Sequence, residues 1–381
     1  MAIYINQLSV DLLQGYYFSG NIPVILIQSD VEADISVSLS AGGNPFLIDI
    51  TELHTPDWGG TGLFGIIYLN ISDLISAHLK TSYPLDQSLE ELGFVGQTGA
   101  FGTVTIKVDG DTVRSFKVIK GVVDYMIPEY ESPLNFQTYI KNNILSLCPQ
   151  IRLVKPDHPN ALTYYAVGGG KVYINAKIFT GYDGQGNPQH INEEKTYYTF
   201  IGESLYTFDA MYQSLSALYS LSEGQHIEHI DVYGKDNDSS IQTASIRLIP
   251  DNTVYPYDDL FAFENSLGGI DIIRFTGVLS ESIEHEYLSQ TNIGRTSTYG
   301  LVHITIYSKN TGYFPDEEHA IFANDFIAST NIYHYKNERF EPIVITEKEA
   351  IYTKGKISAF SFKFKYSHQH TGKLLNRNTE L

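Results

Sequence analysis

Pairs of histidines are the first residues in this sequence that could do chemistry, because a metal ion needs several side-chain ligands close together. His226 and His229 are three residues apart, and His368 and His370 are two apart. On a strand, residues three apart face opposite sides, so the first pair would not bind one ion jointly. The second pair would share a face, but the sequence offers no third ligand nearby. We therefore predict solvated strand histidines and no metal site.

Acidic turns and glycine-rich loops are the next candidates for ion or phosphate binding. The turns at Asp109/Asp111 and Asp236/Asp238 lack the twelve-residue pattern of a calcium loop. Residues 168–171 read GGGK but lack the spacing, and the Ser or Thr after lysine, of a phosphate-binding loop. These stretches are typical of polar hairpin tips and turns, so we predict no bound ion and no cofactor.

Catalytic nucleophiles and acid–base pairs are equally hard to find. The single cysteine, Cys148, precedes Pro149 at the end of an expected helix, where a small packing residue is the simpler interpretation. No Gly-x-Ser-x-Gly elbow occurs. The 44 acidic residues supply many possible carboxylate pairs, and nothing singles one out. We predict that the protein has no catalytic residues and is not an enzyme.

Length and composition indicate a β-rich protein of more than one domain. A chain of 381 residues exceeds the size at which one core usually suffices. Its 28 tyrosines and 20 phenylalanines favour strands. The formal net charge of −19 argues against direct packing on nucleic acid or on an anionic membrane. The first residues do not resemble a signal peptide and no apolar run is long enough to span a membrane, so we expect no membrane insertion.

The order of predicted elements suggests that one β module is used twice. Runs around Asp109-Gly110 alternate on both sides, which is a strong hairpin signal. Apolar residues with helical spacing occur over Tyr68–Leu79 and again over Tyr206–Leu218, and a hairpin follows each. A capping serine and a proline favour a helix or an irregular connector over 131–149 between the two copies.

We therefore predict a mainly β protein with tandem β-sandwich modules of the fibronectin-III or immunoglobulin-like kind. The first sandwich would span 1–128, and the second, with a connecting helix, 129–268. A C-terminal β domain would follow over 269–381, with one short helix at 316–328.

The stretch Phe263–Val278 is the predicted joint between the second and third domains. Asn265 begins the break in an aromatic, apolar run, and Gly268 and Gly269 follow it. Paired glycines at this point indicate positive φ or a close approach of the backbone to another element. A second apolar run then leads to Phe275. We predict a structural joint formed by Asn265, Gly268, Gly269 and Phe275.

The same stretch resembles a segment of structural proteins from bacteriophages and prophages of Bacteroides-type bacteria. There, a strand with Phe-x-Asn-Ser-Leu/Phe-Gly precedes a Phe-Thr-Gly strand, as in Leu260–Val278. The order that follows is also similar, with a Tyr-rich hairpin over Ile332–Ile345 and a final aromatic strand over Phe360–Tyr366. The similarity covers about residues 160–370 and supplies no catalytic residues. It implies a tail- or baseplate-associated protein.

On this basis we expect a virion structural protein of a tailed phage or prophage, in or near the tail or baseplate. Its expected partners are copies of itself in a ring or hub and other virion proteins, after assembly in the host cytoplasm. The polar segment Ser280–Tyr299 is the arm that could reach a neighbouring subunit. The alternatives are a host-surface or glycan-binding adhesion module, using exposed tyrosines, and a polysaccharide-degrading tail enzyme.

Overall fold

The fold was determined as a computed structural model. It describes residues 3–5, 15–29, 34–42, 44–50, 55–56, 65–82, 95–123, 136–166, 169–236, 242–292, 295–349 and 359–367. The protein is mainly β, which confirms the predicted fold class at that level. In the described part of the chain, none of the helices combines the length and the hydrophobicity needed to cross a membrane.

Twenty-four strands, four α-helices and one 3-10 helix, Ser19–Asn21, make up the described secondary structure. The strands are β1 Ile3–Ile5, β2 Tyr16–Phe18, β3 Ile25–Ser29, β4 Ile35–Ala41, β5 Asn44–Ile50, β6 Thr55–Pro56, β7 Gly65–Leu69, β8 Val95–Gly96, β9 Phe101–Val108, β10 Asp111–Ile119, β11 Ile151–Val154, β12 Ala161–Ala166, β13 Gly170–Tyr182, β14 Pro188–Thr199, β15 Ser204–Asp209, β16 His226–Asp236, β17 Ile246–Pro250, β18 Asp259–Glu264, β19 Ile270–Phe275, β20 Leu279–Asn292, β21 Arg295–Asn310, β22 Ile332–Lys336, β23 Arg339–Glu349 and β24 Ser361–Tyr366. The α-helices are α1 Ser72–His78, α2 Phe136–Asn142, α3 Tyr212–Ser216 and α4 Glu317–Ala328.

The chain divides into two compact units. The first contains Met1–Ser146, Gln150–Asp251 and Asn265–Asp271, and the second contains Leu147–Pro149, Asn252–Glu264 and Ile272–Leu381.

The three domains predicted from the sequence divide the chain differently. The predicted boundary at 128/129 falls inside the first unit. The boundary at 268/269 would separate β18 from β19, which are neighbours in one sheet. A strand, a glycine turn and a second strand give the same sequence pattern whether they join two domains or two neighbours in a sheet. The predicted domain boundaries therefore stay predictions.

Two stretches of the first unit fold with the same strand order. Each contains a five-stranded sheet, with the orders β2-β10-β9-β4-β5 and β11-β17-β16-β13-β14. In both sheets the first strand lies parallel to the last, while the other pairs are antiparallel. The repeated pattern seen in the sequence thus has a counterpart in the order of the strands.

Each stretch also contributes to a second, smaller sheet. These sheets have the orders β1-β3-β7-β6 and β12-β15-β8, and β3 pairs with β7 as β12 pairs with β15. A helix follows at the same point of each stretch, α1 after β7 and α3 after β15. The packing of the two sheets of each stretch as a sandwich stays a prediction.

Alternating side chains explain why these segments form strands. Strand β9 buries every second residue, including Val104, Ile106 and Val108. Between β9 and β10 the chain turns at Asp109 and Gly110, both with positive φ, as the Asp-Gly signal predicts. The hairpin predicted around Asp109-Gly110 is confirmed.

Both repeated helices are shorter than predicted. Tyr68 lies in β7 and Tyr206 lies in β15, so the first part of each predicted helix is strand. The helices begin only at Ser72 and Tyr212. The apolar residues at the ends of these strands continue into helical spacing without a break, so the spacing alone could not locate the boundary.

Strand β8 ties the two stretches of the first unit together, because it pairs with β15 of the second stretch. The next residue, Gln97, is completely buried. Its main-chain nitrogen donates to the Leu205 carbonyl oxygen at 2.8 Å. Its side-chain amide donates to the Ser82 carbonyl at 2.8 Å and to the Thr207 hydroxyl at 3.1 Å, and accepts from the Ser82 nitrogen at 2.7 Å. One buried amide thus bonds to both stretches.

The second unit is built on a seven-stranded sheet with the order β19-β18-β22-β23-β24-β21-β20. Helix α4 matches the predicted helix at 316–328, and the Asp316 side chain caps it by accepting from the His319 nitrogen. The helix contributes Phe322 and Phe326 to a buried, phenylalanine-rich core. This core is the main source of hydrophobic stabilisation in the unit.

Candidate functional site

The predicted joint is a tight turn organised by the buried side chain of Asn265. Its oxygen accepts from the main-chain nitrogens of Leu267 at 3.0 Å and Gly269 at 2.8 Å. Its amide nitrogen donates to the Leu145 carbonyl at 2.9 Å and to the Asp271 carboxylate at 2.8 Å. The side chain therefore uses both donor hydrogens and its acceptor oxygen, which offsets the cost of burying it.

Both predicted glycines occupy backbone space that is closed to a side chain. Gly268 has a φ of +81°, and a Cβ atom there would lie 1.9 Å from the Lys120 carbonyl oxygen. A Cβ atom on Gly269 would lie 2.5 Å from the Thr163 hydroxyl and 3.0 Å from the Leu145 carbonyl oxygen. The turn is therefore enclosed by main chain at Lys120 and Leu145 and by the side chain of Thr163.

Neighbouring residues make the same close approach from the other side. A Cβ atom on Gly121, whose φ is +134°, would lie 2.4 Å from the Ser266 carbonyl oxygen. The next main-chain nitrogen, that of Val122, donates to this oxygen at 2.7 Å. The turn and the segment after β10 therefore hold each other through the backbone, which explains why glycine occurs on both sides.

Asp271 is the residue of this site that sequence reasoning missed. It is completely buried in β19 and accepts from Asn265 and from the Ser146 hydroxyl, at 2.7 and 2.8 Å to its two oxygens. Burial raises the pKa of Asp271 to about 6, against the opposing effects of the Arg152 charge and these hydrogen bonds. The only signal in the sequence is an aspartate that stands between isoleucines near the start of a strand.

Phe275 belongs to a different environment from the other three predicted joint residues. It lies in the core of the second unit, with its ring centroid 5.7 Å from that of Phe261, 5.2 Å from Phe326 and 5.8 Å from Phe362. The structure thus brings Asn265 together with both glycines, and places Phe275 among phenylalanines.

The histidines singled out for metal binding have other contacts. His226 lies against Phe179, with 4.9 Å between ring centroids, and His229 lies 3.9 Å from Asp231. The pair His368 and His370 falls outside the described residues. In the part of the chain that is described, no group of three or more His, Cys, Asp or Glu side chains could hold a metal ion.

The structure instead assembles an ion-pair cluster near β13 that the sequence did not reveal. The Glu228 carboxylate lies 2.8 Å from Lys177 and 2.7 Å from His190. Hydrogen bonds from Lys177 and His190 lower the pKa of Glu228 to about 2. This arrangement pairs charges across adjacent strands, which is a structural role.

The cysteine, the glycine-rich loop and the second acidic turn considered in the sequence analysis lie in strands or pack against a hydrophobic core, where the structure describes them. Cys148 is half-buried and packs against the phenylalanine core of the second unit. Gly170 begins β13 under the hydroxyl of Tyr164, which would lie 2.9 Å from an added Cβ atom. Lys171 lies in β13, Asp236 ends β16, and residues 168 and 238 fall outside the described range.

A second polar cluster, which the sequence did not suggest, lies buried in the second unit around Lys309. This side chain has no exposed surface. Its ammonium nitrogen lies 2.5 Å from the Asp259 carboxylate, 2.7 Å from the Gly277 carbonyl oxygen and 3.3 Å from the Tyr257 carbonyl oxygen. Burial lowers the pKa of Lys309, although the hydrogen bond and the charge of Asp259 oppose this effect.

His334 completes this cluster on the far side of Asp259. Its Nε2 lies 3.2 Å from the second carboxylate oxygen of Asp259, and its Nδ1 lies 2.7 Å from the Tyr366 hydroxyl. The imidazole stacks on Phe261, with 4.7 Å between ring centroids. Burial raises the pKa of Asp259, but the hydrogen bonds from His334 and Lys309 outweigh it and hold this pKa below its usual value. The resting cluster is therefore a buried ion pair.

The polar segment predicted to be an arm forms most of a long hairpin. Strands β20 and β21 pair continuously from Leu279↔Lys309 to Asn292↔Arg295, with one register shift. Strand β24 pairs with β21 only over Tyr307–Asn310. Within the described strands, the rest of the hairpin pairs only with itself, and β20 is the last strand of the sheet. The hairpin therefore extends beyond the strands that it joins.

Comparison with known proteins adds no assignment to this geometry. No protein-family model matches the chain, and no curated protein matches it.

Proposed function

We propose that this protein is a structural component of a tailed phage or prophage virion, located in or near the tail or baseplate. It would act by packing against copies of itself in a ring and against other virion proteins. The observation that carries the proposal is the long hairpin of β20 and β21, which extends past the third strand of its sheet.

An extended two-stranded ribbon supports an assembly role on physical grounds. An isolated ribbon of two strands is only marginally stable in water. Its outer strand, β20, presents main-chain donors and acceptors along the free side of the sheet. Contact with a neighbouring subunit would cover these groups and stabilise the ribbon. Exposed side chains in β20 include Ser280, Glu281, Ser282 and Ile283, and this mixture of polar and apolar groups suits an interface formed between soluble subunits.

Two features of the sequence support the same proposal. The net charge of −19 keeps subunits soluble before assembly and disfavours packing on nucleic acid. The resemblance of Leu260–Val278 to structural proteins of Bacteroides-type phages supports the phage origin.

Shortening the hairpin in register tests the proposal. Glu286 pairs with Val302, so residues 287–301 can be replaced by Asn-Gly. The pairs from Leu279↔Lys309 to Glu286↔Val302 are then kept. We expect the shortened protein to fold but to be lost from purified particles, as measured by quantitative mass spectrometry. A matched control replaces the tip Asp183–Asn187 of the β13–β14 hairpin by Asn-Gly. Unchanged incorporation and unchanged subunit contacts of the shortened protein would refute the assembly role.

The same preparations separate the two alternative functions. Specific micromolar binding on a glycan array by the isolated protein would favour an adhesion module. Turnover of peptidoglycan or capsular polysaccharide would favour a tail enzyme. We expect neither result from the wild-type protein.

A further inference from the structure

The buried cluster around Lys309 has the composition of a reactive site as well as that of an ion pair. A primary amine and a carboxylate lie 2.5 Å apart, and the amine has no exposed surface. Phe261 and Phe364 lie beside the cluster, with ring centroids 4.7 and 5.5 Å from that of His334. The Lys309 amine is closed to solvent and the Asp259 side chain is mostly buried, so little water is in contact with the two groups, and water is the product of any condensation between them.

We propose that Lys309 and Asp259 condense to form an isopeptide bond, a side-chain amide that links two strands of the second unit covalently. This inference does not depend on the proposed virion role.

The surroundings of the amine orient it for attack. The Gly277 and Tyr257 carbonyl oxygens lie 2.7 and 3.3 Å from the Lys309 nitrogen. A neutral amine has two hydrogens, which these two carbonyls can accept. Its lone pair then faces the third neighbour, the Asp259 carboxyl group. The neutral form is reached when one proton moves from Lys309 to Asp259 along their hydrogen bond, and burial lowers the cost of this transfer because it disfavours the charged form of each group.

The reaction balances without any additional reagent. The Lys309 nitrogen attacks Cγ of the protonated Asp259 and forms a new C–N bond. One C–O bond of Asp259 breaks, and its hydroxyl group leaves as water with one proton from the nitrogen. The product is a neutral amide whose remaining N–H can donate to the Gly277 carbonyl. No oxidation or reduction occurs.

His334 is the catalytic residue of this reaction. Its Nδ1 can accept from the Tyr366 hydroxyl at 2.7 Å, which fixes the tautomer whose Nε2 carries the hydrogen. That hydrogen points at the second oxygen of Asp259, 3.2 Å away. A donor at this oxygen stabilises the negative charge that develops there during attack. Tyr366 is a positioning residue, because it acts through the histidine.

The bond would connect strands that are not neighbours in the sheet. Asp259 begins β18 and Lys309 lies near the end of β21, and β22, β23 and β24 lie between these strands in the sheet order. A covalent bond between Asp259 and Lys309 would therefore connect two strands that three other strands separate in the sheet order. The nearby pair of Arg274 and Asp258, with 2.7 Å between Nε and Oδ1, supplies an internal reference, because a guanidinium does not condense in this way.

The mass of the denatured protein tests the proposal. We expect wild-type protein to be lighter by one water molecule than its sequence requires, and Lys309→Arg and Asp259→Ala to have the full mass, all made in the same host. Digestion of the wild type should yield one branched peptide containing both residues. Asp259→Asn should give the same cross-linked mass as the wild type, because its condensation releases ammonia and leaves the same amide.

The measurement does not require the variants to fold. Only the wild type must have folded, so that the bond can form, before it is denatured for mass spectrometry. His334→Phe keeps an aromatic ring but removes the donor, and we expect a smaller cross-linked fraction after a fixed incubation time. If the wild-type protein had the mass that its sequence requires, with no loss of water, both when fresh and after prolonged incubation, Lys309 and Asp259 would form a simple ion pair and the proposal would be overturned. A branched peptide that joins Lys309 to another residue would also overturn it.

Discussion

The side-chain amide of Asn265 donates a hydrogen bond of 2.8 Å to the completely buried carboxylate of Asp271. The same nitrogen donates to the Leu145 carbonyl oxygen at 2.9 Å. A buried carboxylate costs free energy unless donors surround it, and the asparagine supplies one while its own oxygen organises the glycine turn. The turn and the carboxylate therefore depend on one another.

Asp271→Asn should remove a pH dependence of stability. Burial raises the pKa of Asp271 from 3.8 to about 6, so the folded protein holds a proton that the unfolded chain has already released. The free energy of unfolding therefore falls as the pH rises from about 4 to about 6, by roughly 2–3 kcal/mol from this group. Urea unfolding of wild type and variant at both ends of this range measures the difference. Parallel pH profiles for the two proteins would contradict the prediction.

Gly268→Ala should cost more stability than Gly186→Ala. The two glycines share nearly the same φ, +81° and +83°, but an added Cβ meets the Lys120 carbonyl oxygen at 1.9 Å only in the first case. At Gly186 nothing lies within 4 Å, so Gly186→Ala reports the backbone strain alone, about 1 kcal/mol. We expect Gly268→Ala to lose about 2 kcal/mol more, because main chain must move. Equal losses in chemical denaturation would show that the turn relaxes freely.

Gln97→Ala should weaken the connection between the two repeated stretches. The substitution removes the bonds to Ser82 and to the Thr207 hydroxyl from a buried environment. We expect a loss of about 3 kcal/mol in urea unfolding, since three hydrogen bonds of the Gln97 side chain are lost at about 1 kcal/mol each. Gln225→Ala is the matched control, because the Gln225 side chain accepts a hydrogen bond from the Ser222 nitrogen at an exposed turn. A loss no larger than that of the control would mean that water replaces the amide.

Asp316→Ala should destabilise α4 by removing its cap. The carboxylate accepts from the His319 main-chain nitrogen at 3.0 Å, and the N-terminal end of a helix leaves such donors unpaired without a cap. We expect a loss of about 1 kcal/mol, measured by thermal unfolding, whereas Asp316→Ser should keep most of the stability. If the serine variant lost as much as the alanine variant, the capping bond would not be the cause.

Local features were predictable from sequence because their causes are local. The Asp109-Gly110 turn depends on a pair of residues that adopts positive φ next to alternating strands. The prediction of helix α4 at 316–328 agrees with the observed Glu317–Ala328 because an acidic cap and a buried stripe of apolar residues mark the helix. The position of the glycine turn after Asn265 followed from the same kind of signal.

Contacts between distant parts of the chain were not predictable from a single sequence. The hydrogen bonds of Asp271 to Ser146 and of Lys309 to Asp259 join residues far apart in the chain, and no spacing rule connects them. Tyr206 shows a related limit, since the apolar spacing around it predicts a helix but the residue lies in β15. In each case the position depends on which elements meet in the folded protein.

The parallel pairing of β2 with β10 and of β11 with β17 has a consequence for synthesis on the ribosome. In each repeated stretch the first strand can pair with its partner only after the last strand has been synthesised, because Tyr16 pairs with Lys117 and Ile151 with Arg247. Pairing between such distant segments slows folding. A nascent chain therefore exposes the edge of β9 or β16 until the closing strand has left the ribosome exit tunnel, and this interval is when chaperones would bind.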